Sequence, residues 1–364
     1  MMTPHKPSIC VLSQTLFVLA LLLVPANAEA QVRIQGIPVE PVQIDAPPVD
    51  NMAIMDYREK MRQFVQSVSE YGRRIKPNFI IIAKDGLDLL IRRDISDDTK
   101  KTPARTYMRA IDGIMQEGLF FADAYGDRPF GAPPPIEIQT EMLSLADHAK
   151  KNGLKVLALD FGKGNKVVDE ALKLSNERGY LSLSSDVSSA DISKLPTYPS
   201  RPPNENPKSI LSLSMIQNYA TIRNSASYGL QSEFALKMHD TNYDALLVDV
   251  YHGSTPLSRQ AVETLKYKKI GARRMVLAYM NIGHAASYHY YWNTNWTTSP
   301  PRWLNEPVRS DPDHYNVKFW QQDWQDIISG SPNSYIYGII SQGFDGVVID
   351  GVNAYKFYEG DGYD

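Results

Sequence analysis

A (β/α)8 barrel is the fold this sequence predicts, and three observations predict it. Apolar strand-like runs alternate with amphipathic stretches of helical spacing, eight runs in all, which is the pattern of a parallel sheet wrapped by helices. Several of these runs deliver an acid at or near their carboxyl end: GVVID on Asp350, LLVDV on Asp249, VLALD on Asp160 and IMQE on Glu117. Acids presented on one rim by separate strands are how such a barrel builds a carboxylate-lined pocket. Finally, no GxGxxG follows a strand, which removes the usual sign of a dinucleotide site in the competing arrangement, an open doubly wound sheet.

Taken in order, residues 57–75 place Met61, Phe64, Val65, Val68 and Tyr71 near helical spacing, and Pro77 stops the helix. The run 79–83 is a buried strand. A helix around 103–110 precedes a strand at 113–121. A Pro-rich loop, 129–135, leads to a helix at 136–152 that Gly153 ends. A strand at 155–161, a helix at 165–178 ended by Gly179, and a strand at 180–184 follow. Residues 186–209 are rich in Ser and Pro and predict a long connection. A strand near 216–223, a helix at 228–239, a strand at 245–250, a helix at 257–269 and a strand at 274–282 come next. An aromatic excursion, 284–316, is followed by a helix at 319–330 running to 342 and by the last strand, 346–350.

The bulk composition is that of a globular protein: of 364 residues, 43% are hydrophobic and 22% charged. The net charge of −3 gives no field for a polyanion, so nucleic acid is not an expected partner. Residues 1–30 read as a signal peptide, with Lys6, an apolar run from Cys10 to Pro25, and small residues around 26–30 for cleavage. A retained anchor is the alternative. Cys10 is the sole cysteine, so a processed chain would have no thiol, and a secreted or periplasmic protein with no membrane contact after cleavage is expected. Residues 31–54 read as an extended linker or strap, and 55–364 as the barrel.

The segments TNYDALLVDVYHG, LAYMNIGHAASYHYYW, NVKFWQQDWQDII and GFDGVVIDGVNAY resemble the polygalactosaminidase family, glycoside hydrolase family 114, and bacterial relatives labelled cysteinyl-tRNA-synthetase-like. MRQFVQSVSEYGRRIKPNFIIIAKDG, IDGIMQEGLFF and LKVLALDF resemble the same family but stand ahead of the GFDGV strand rather than after it. The resemblance therefore implies a circularly permuted barrel, with the Ser/Pro-rich stretch as the joint. Strand 346–350 would still lie beside strand 79–83, and one strand would separate the acids of 346–350 and 113–121.

Cleavage of a glycosidic bond needs two carboxyls flanking it. The resemblance implies that these are the acids of the GFDGVVID and IDGIMQEGLFF motifs, Asp350 and Glu117. Asp350 is assigned as nucleophile and Glu117 as acid/base, because Met115, Phe120 and Phe121 around Glu117 favour a protonated carboxyl. Asp350 as a turn acid and Glu117 as a rim ion-pair partner are the bland alternatives. Candidate substrate ligands are Asp249 with Tyr251 and His252 behind it, Asp160, Lys84, His284, Tyr288, Tyr291 and Trp292. For Asp249 and Asp160 a buried structural acid is the competing reading.

Two departures from the family pattern stand out. Lys84 and Asp85 in AKDG replace amides of the common PQNG, and His284, Ala286 and His289 replace two acids and an arginine. The aromatics between 288 and 324 suit sugar faces, although Trp320 and Trp324 at i, i+4 read as core. His252, His284, His289 and Asp249 admit a divalent-metal reading, but no HxH or HExxH spacing backs it, so no metal and no cofactor is expected. The implied function is a secreted hydrolase acting on a polysaccharide or oligosaccharide, an amino-sugar polymer such as α-1,4-galactosaminoglycan. A sugar-binding protein without turnover and a metal-dependent deacetylase are the alternatives.

Overall fold

A computed structural model of the chain describes residues 55–94, 97–123 and 127–360. The expected signal peptide and strap lie outside the described residues. Eight parallel strands form one sheet: β1 (Ile80–Lys84), β2 (Gly113–Glu117), β3 (Lys155–Phe161), β4 (Leu181–Ser185), β5 (Tyr219–Ile222), β6 (Ala245–Val248), β7 (Met275–Asn281) and β8 (Gly346–Asp350). Their order in space is β4-β3-β2-β1-β8-β7-β6-β5. Each strand but β4 therefore pairs with its successor, and first and last strands pair, with Ile80 opposite Gly346 and Ala83 opposite Ile349. This is a nearly closed TIM barrel. No backbone ladder joins β4 to β5, and the long connection between them spans the seam.

The strands alternate two sets of side chains, as a pleated backbone must. Ile82, Met115, Leu157, Leu159, Phe161, Tyr219, Leu247, Leu277, Tyr279 and Val348 fill the barrel interior. The neighbours of opposite parity, among them Ile81, Ile114, Val156, Ala158, Leu246, Ala278 and Val347, pack outward with the helices. Each fully buried Ile, Val or Leu stabilises the fold by about 1.5–3 kcal/mol. The parity also decides which rim residues face the lumen. Lys84, Glu117, Arg223, Asp249, Asn281 and Asp350 fall in phase with the interior set; Asp160 does not.

The helices follow local signals. Asp56 caps α1 (Tyr57–Ile75), accepting the Glu59 amide at 2.8 Å, and Gly179 at φ 69° ends α4 (Asn165–Arg178). The remaining outer helices are α2 (Arg105–Ala110), α3 (Ile136–Lys151), α5 (Gln231–His239), α6 (Arg259–Leu265), α7 (Gln322–Ile328), α8 (Tyr335–Gln342) and a terminal α9 (Tyr355–Glu359).

Two expectations are corrected, and two elements were not anticipated. The strand at 113–121 stops at Glu117, because Gly118 at φ 62° turns the chain. The helix expected from 319 to 342 is two, broken where Gly330 adopts φ 115°. The aromatic excursion carries a three-stranded antiparallel sheet, His284–Ala286, Asp311–Val317 and Leu304–Val308. A hairpin pairs Ile91–Asp94 with Asp97–Pro103. The last two are side excursions whose alternation is short and mostly polar, so periodicity gave no sign of them.

Candidate active site

The carboxyl ends of the strands carry a cluster built around one nitrogen. Lys84, the last residue of β1, is buried, and its Nζ lies 2.6 Å from Asp85 Oδ2, 3.2 Å from Glu117 Oε1 and 3.4 Å from Asp350 Oδ1. Glu117 ends β2 and Asp350 ends β8, the two strands flanking β1. Two acids 233 positions apart in the chain thus meet across a single ammonium. Arg223, just past β5, reaches Asp350 from the other side of the lumen, with Nη2 3.2 Å from Oδ2. The guanidinium lies 3.9 Å above the Tyr279 ring, and the Tyr279 hydroxyl bonds Thr221 Oγ1 at 2.8 Å.

Backbone geometry fixes the acids. Asp85 takes φ 56° and accepts the Glu117 amide at 2.9 Å and Gln116 Nε2 at 3.1 Å. Asp350 Oδ1 accepts the Gly351 amide at 2.9 Å. Gly351 has φ 74° and packs on Gly283, where a Cβ would fall 2.1 Å from the Gly351 carbonyl oxygen. The Asn281 side chain ties this turn by accepting the Gly283 and His284 amides, each at 2.9 Å.

The two principal acids are driven in opposite directions. Burial alone would push the Asp350 carboxyl up, but Lys84 and Arg223, with the Gly351 amide, hold it well below its ordinary value. Burial pushes the Glu117 carboxyl up, and neither Lys84 nor the Ser189 hydroxyl that donates to it cancels this. Burial also works against the Lys84 charge, yet Asp350, Asp85 and Glu117 outweigh it and keep the ammonium protonated. One carboxyl held down and one pushed up, side by side, is the divergence that acid–base chemistry uses.

Glu117 opens onto a cleft of about 480 Å³ that is also lined by Asp85, Gln116, Gly118, Asp123 and Glu141. A larger cavity of about 730 Å³ lies at the amino ends of the strands, around Ile80, Asp112 and Leu154, away from the acid pair.

The other residues singled out from the sequence divide. Asp249 faces the lumen near Arg223; burial raises its carboxyl, partly opposed by the Tyr251 amide and Arg223. His284 stands beside Asp350, and burial lowers its imidazole to about 4, so it is neutral. Tyr288, 62% exposed, sits on the excursion within the field of Asp249 and Arg223, its hydroxyl 3.2 Å from His314 Nε2. Tyr251 is half-buried, its ring edge on His289.

Asp160, Tyr291, Trp292 and His252 are placed otherwise than as substrate ligands. Asp160 is fully buried on the outward parity of β3, and its Oδ1 accepts the amides of Phe120 at 2.7 Å and Phe121 at 3.0 Å. Both ring nitrogens of His252 are engaged, by Ser225 Oγ at 2.9 Å and the Gly229 carbonyl at 2.6 Å. Tyr291 stacks on His289 and accepts the Ala286 amide, and Trp292 packs on Tyr315 at 4.7 Å. They anchor the excursion to the core. Trp324 is core as expected, fully buried, donating Nε1–H to the Ile282 carbonyl at 2.8 Å.

Sequence reasoning missed Arg223 and Ser189. Arg223 was findable, since it follows the buried run YATI in phase with Tyr219 and Thr221. Ser189 lies in a short turn of the long connection and carries no signal of its own. Among the described residues no group of three or more His, Cys, Asp or Glu is arranged to hold a metal ion, and no helix is long and apolar enough to cross a membrane.

The barrel and its acid pair define an α/β barrel protein with a carboxylate site on one rim, and part of the chain is similar to known proteins. Residues 217–363 match the glycoside-hydrolase family GH114. That segment supplies Arg223, Asp249, His284 and Asp350. The chain is 32% identical over 139 residues to an uncharacterized protein of Methanocaldococcus jannaschii, covering 38% of each chain. It is 28% identical over 135 residues to an uncharacterized protein of Thermotoga maritima, covering 37% of this chain and 40% of the other. An uncharacterized protein of Deinococcus radiodurans is 28% identical over 164 residues, 45% of this chain and 48% of its own. The matched segments thus span less than half of each relative's length. A solved chitinase from Bacteroides thetaiotaomicron aligns over 76% of this chain and 90% of its own at 10% identity and a TM-score of 0.38, a likeness too remote to bear on substrate.

Proposed function

We propose that the protein is a secreted glycoside hydrolase that cleaves an amino-sugar polymer by a retaining mechanism, with Asp350 as nucleophile and Glu117 as acid/base. The observation that carries this reading is the meeting of Glu117 and Asp350 on Lys84 Nζ with opposite proton affinities. In the first step Glu117 gives its proton to the leaving glycosidic oxygen while Asp350 attacks the anomeric carbon, forming a glycosyl ester. In the second, the Glu117 carboxylate takes a proton from water, and the oxygen of that water displaces Asp350. Two oxygens that touch one nitrogen lie closer together than their combined contact lengths of 3.2 and 3.4 Å. That upper bound admits the gap of about 5–5.5 Å in retaining enzymes and excludes all but the shortest of the about 6.5–9.5 Å gaps that seat a water in inverting ones.

The substrate class and the export of the chain rest on the resemblance of its motifs and on the reading of residues 1–30. Circular permutation is part of the same proposal. Its support is that the family match begins at residue 217, close to β5, and that the unpaired seam falls at the Ser/Pro-rich connection.

Release of new reducing ends from partly deacetylated α-1,4-galactosaminoglycan tests the reading. Wild-type protein should release them, and Glu117→Gln should lower the rate by about 10²–10⁴-fold with folding and sugar binding retained. Full activity in Glu117→Gln would remove the pair. A second reading, sugar binding without turnover, is favoured by one observation: Lys84 occupies the space between the two acids. It predicts binding to the polymer with no new reducing ends.

A further inference from the structure

We propose that Ser189 is a positioning residue for the acid step: with Lys84 it fills Glu117 Oε1, so that the proton given to the leaving group sits on Oε2, the oxygen turned to the cleft. This deepens the glycosidase reading above and rests on its assignment of Glu117 as acid/base.

Ser189 is held in place from several sides. It opens the short turn Ser189–Asp191 in the long connection, and that turn is tied at both ends. At its start Asp123 accepts the Ser188 hydroxyl at 2.7 Å and the Ser189 amide at 3.2 Å. At its end Ile192 buries its side chain in the barrel interior, and its carbonyl accepts the amides of Arg223 at 2.7 Å and Asn224 at 3.2 Å. The turn therefore links the rim beyond β2 to the rim beyond β5, and from that frame the Ser189 hydroxyl donates to Glu117 Oε1.

The two oxygens of Glu117 are thereby made unequal. Oε1 accepts Ser189 and lies 3.2 Å from Lys84 Nζ. A carboxyl oxygen offers about two lone-pair sites, and both are used. No described residue bonds Oε2, and it is not sealed off: the side chain keeps 19% of its surface exposed and lines the cleft. The proton of the neutral carboxyl accordingly belongs on Oε2. When that O–H bond breaks, the proton passes to the glycosidic oxygen and the electron pair is shared with Oε1. Two donors already stand at Oε1 to receive the charge, with no rearrangement at the moment of transfer.

Removing the Ser189 donor disfavours the carboxylate, so Glu117 should keep its proton to higher pH. The other groups around it are Lys84, Asp85, Asp350, Arg223, Tyr219 and Tyr279 in the lumen. The cleft adds Asp123, Arg58, Asp88, Lys356 and the Arg93–Glu141 ion pair. None of these is altered in Ser189→Ala, so a shift reports on the hydroxyl.

The test is the pH dependence of kcat/KM for reducing-end release from partly deacetylated α-1,4-galactosaminoglycan. Ser189→Ala should lower kcat at least about tenfold and move the alkaline limb up by about half a unit or more. Ser189→Thr, which keeps the hydroxyl, should leave the limb with wild type. An unmoved limb in Ser189→Ala overturns the proposal, since a turn that served only the fold would change Tm and not the limb. A limb moved to lower pH overturns it too, because Ser189 would then accept the proton instead of donating to the carboxylate. A threonine variant shifted as far as the alanine one does the same. If Ser189→Ala does not fold by circular dichroism, Ser189→Cys, a weak donor of similar size, takes its place with the same sign expected. No release by wild type sinks the glycosidase reading and this proposal together, whereas release with an unmoved limb sinks this proposal alone.

Discussion

Arg223 Nη2 lies 3.2 Å from Asp350 Oδ2, a contact made across the barrel lumen between β5 and β8. With Lys84 on the other oxygen, Asp350 is held between two cations that the sequence separates by 139 positions. The charge state of the site follows from this clamp.

Activity should fall as pH rises past the raised Glu117 pKa. Asp350, held below its ordinary value by Lys84 and Arg223 despite burial, stays ionised throughout the working range. Glu117, raised chiefly by burial, must be protonated to act, so activity is lost as pH rises through its folded-state pKa. A kcat/KM profile checks this; a rate that climbs steadily with pH through neutrality would reverse the assigned roles. The stability sign for Asp350 is opposite. Its depressed pKa contributes stability that is present above its ordinary value of 3.8 and lost as pH falls below it.

Arg223→Lys should keep a positive charge near Asp350 but lose the planar contact with Tyr279 and the paired geometry. We expect kcat/KM to drop about 10–100-fold, equivalent to about 1.4–2.7 kcal/mol of transition-state stabilisation, with Tm changed little. A variant with wild-type kinetics would show that the clamp has no role.

Asp160 should matter to stability and little to catalysis. Asp160→Ala leaves the buried Phe120 and Phe121 amides without an acceptor, at a cost of about 1–3 kcal/mol. Burial raises its carboxyl to about 7. A raised acid favours the folded state while protonated. Its contribution is therefore complete below 3.8 and lost as pH climbs towards about 7. Denaturant midpoints across that window should decline in wild type and flatten in Asp160→Asn.

Gly283→Ala should damage the turn that aims Asp350. A Cβ there would lie 2.1 Å from the Gly351 carbonyl oxygen and 2.6 Å from Ala354 Cβ. Backbone rather than a flexible side chain must move, so a loss of about 1–3 kcal/mol is expected, with reduced kcat. Thermal melts and reducing-end assays on the variant check both.

The barrel was legible because its strands are buried on both faces and read as uninterrupted apolar runs, as in FIIIA and GVVID. The pairing of Glu117 with Asp350 was legible for a related reason. An acid at the end of such a run, in phase with Met115 or Val348, has only the lumen to face. The same parity test applied to Asp160 would have turned it outward, away from the pocket. What could not be read was any contact made by a turn or loop. Ser189 reaches Glu117 only because the connection folds back over the rim. His252 is consumed by Ser225 and the Gly229 carbonyl through loop geometry that no spacing encodes. Tyr291 and Trp292 were read as a sugar platform, since an aromatic run looks the same whether it faces a ligand or its own sheet.

The gap in the ladder between Leu181–Ser185 and Tyr219–Ile222 sets one side of this molecule apart. Elsewhere the circumference is fixed by rungs of backbone hydrogen bonds and cannot change without breaking them. Here a side chain reaches past the gap to the strand beyond it, where Tyr219 of β5 donates its hydroxyl to the Ala158 carbonyl of β3 at 2.8 Å. Residue volume, which a few substitutions can alter, therefore governs the girth of the ring on that flank, and with it the distance from Arg223 to the acids it faces.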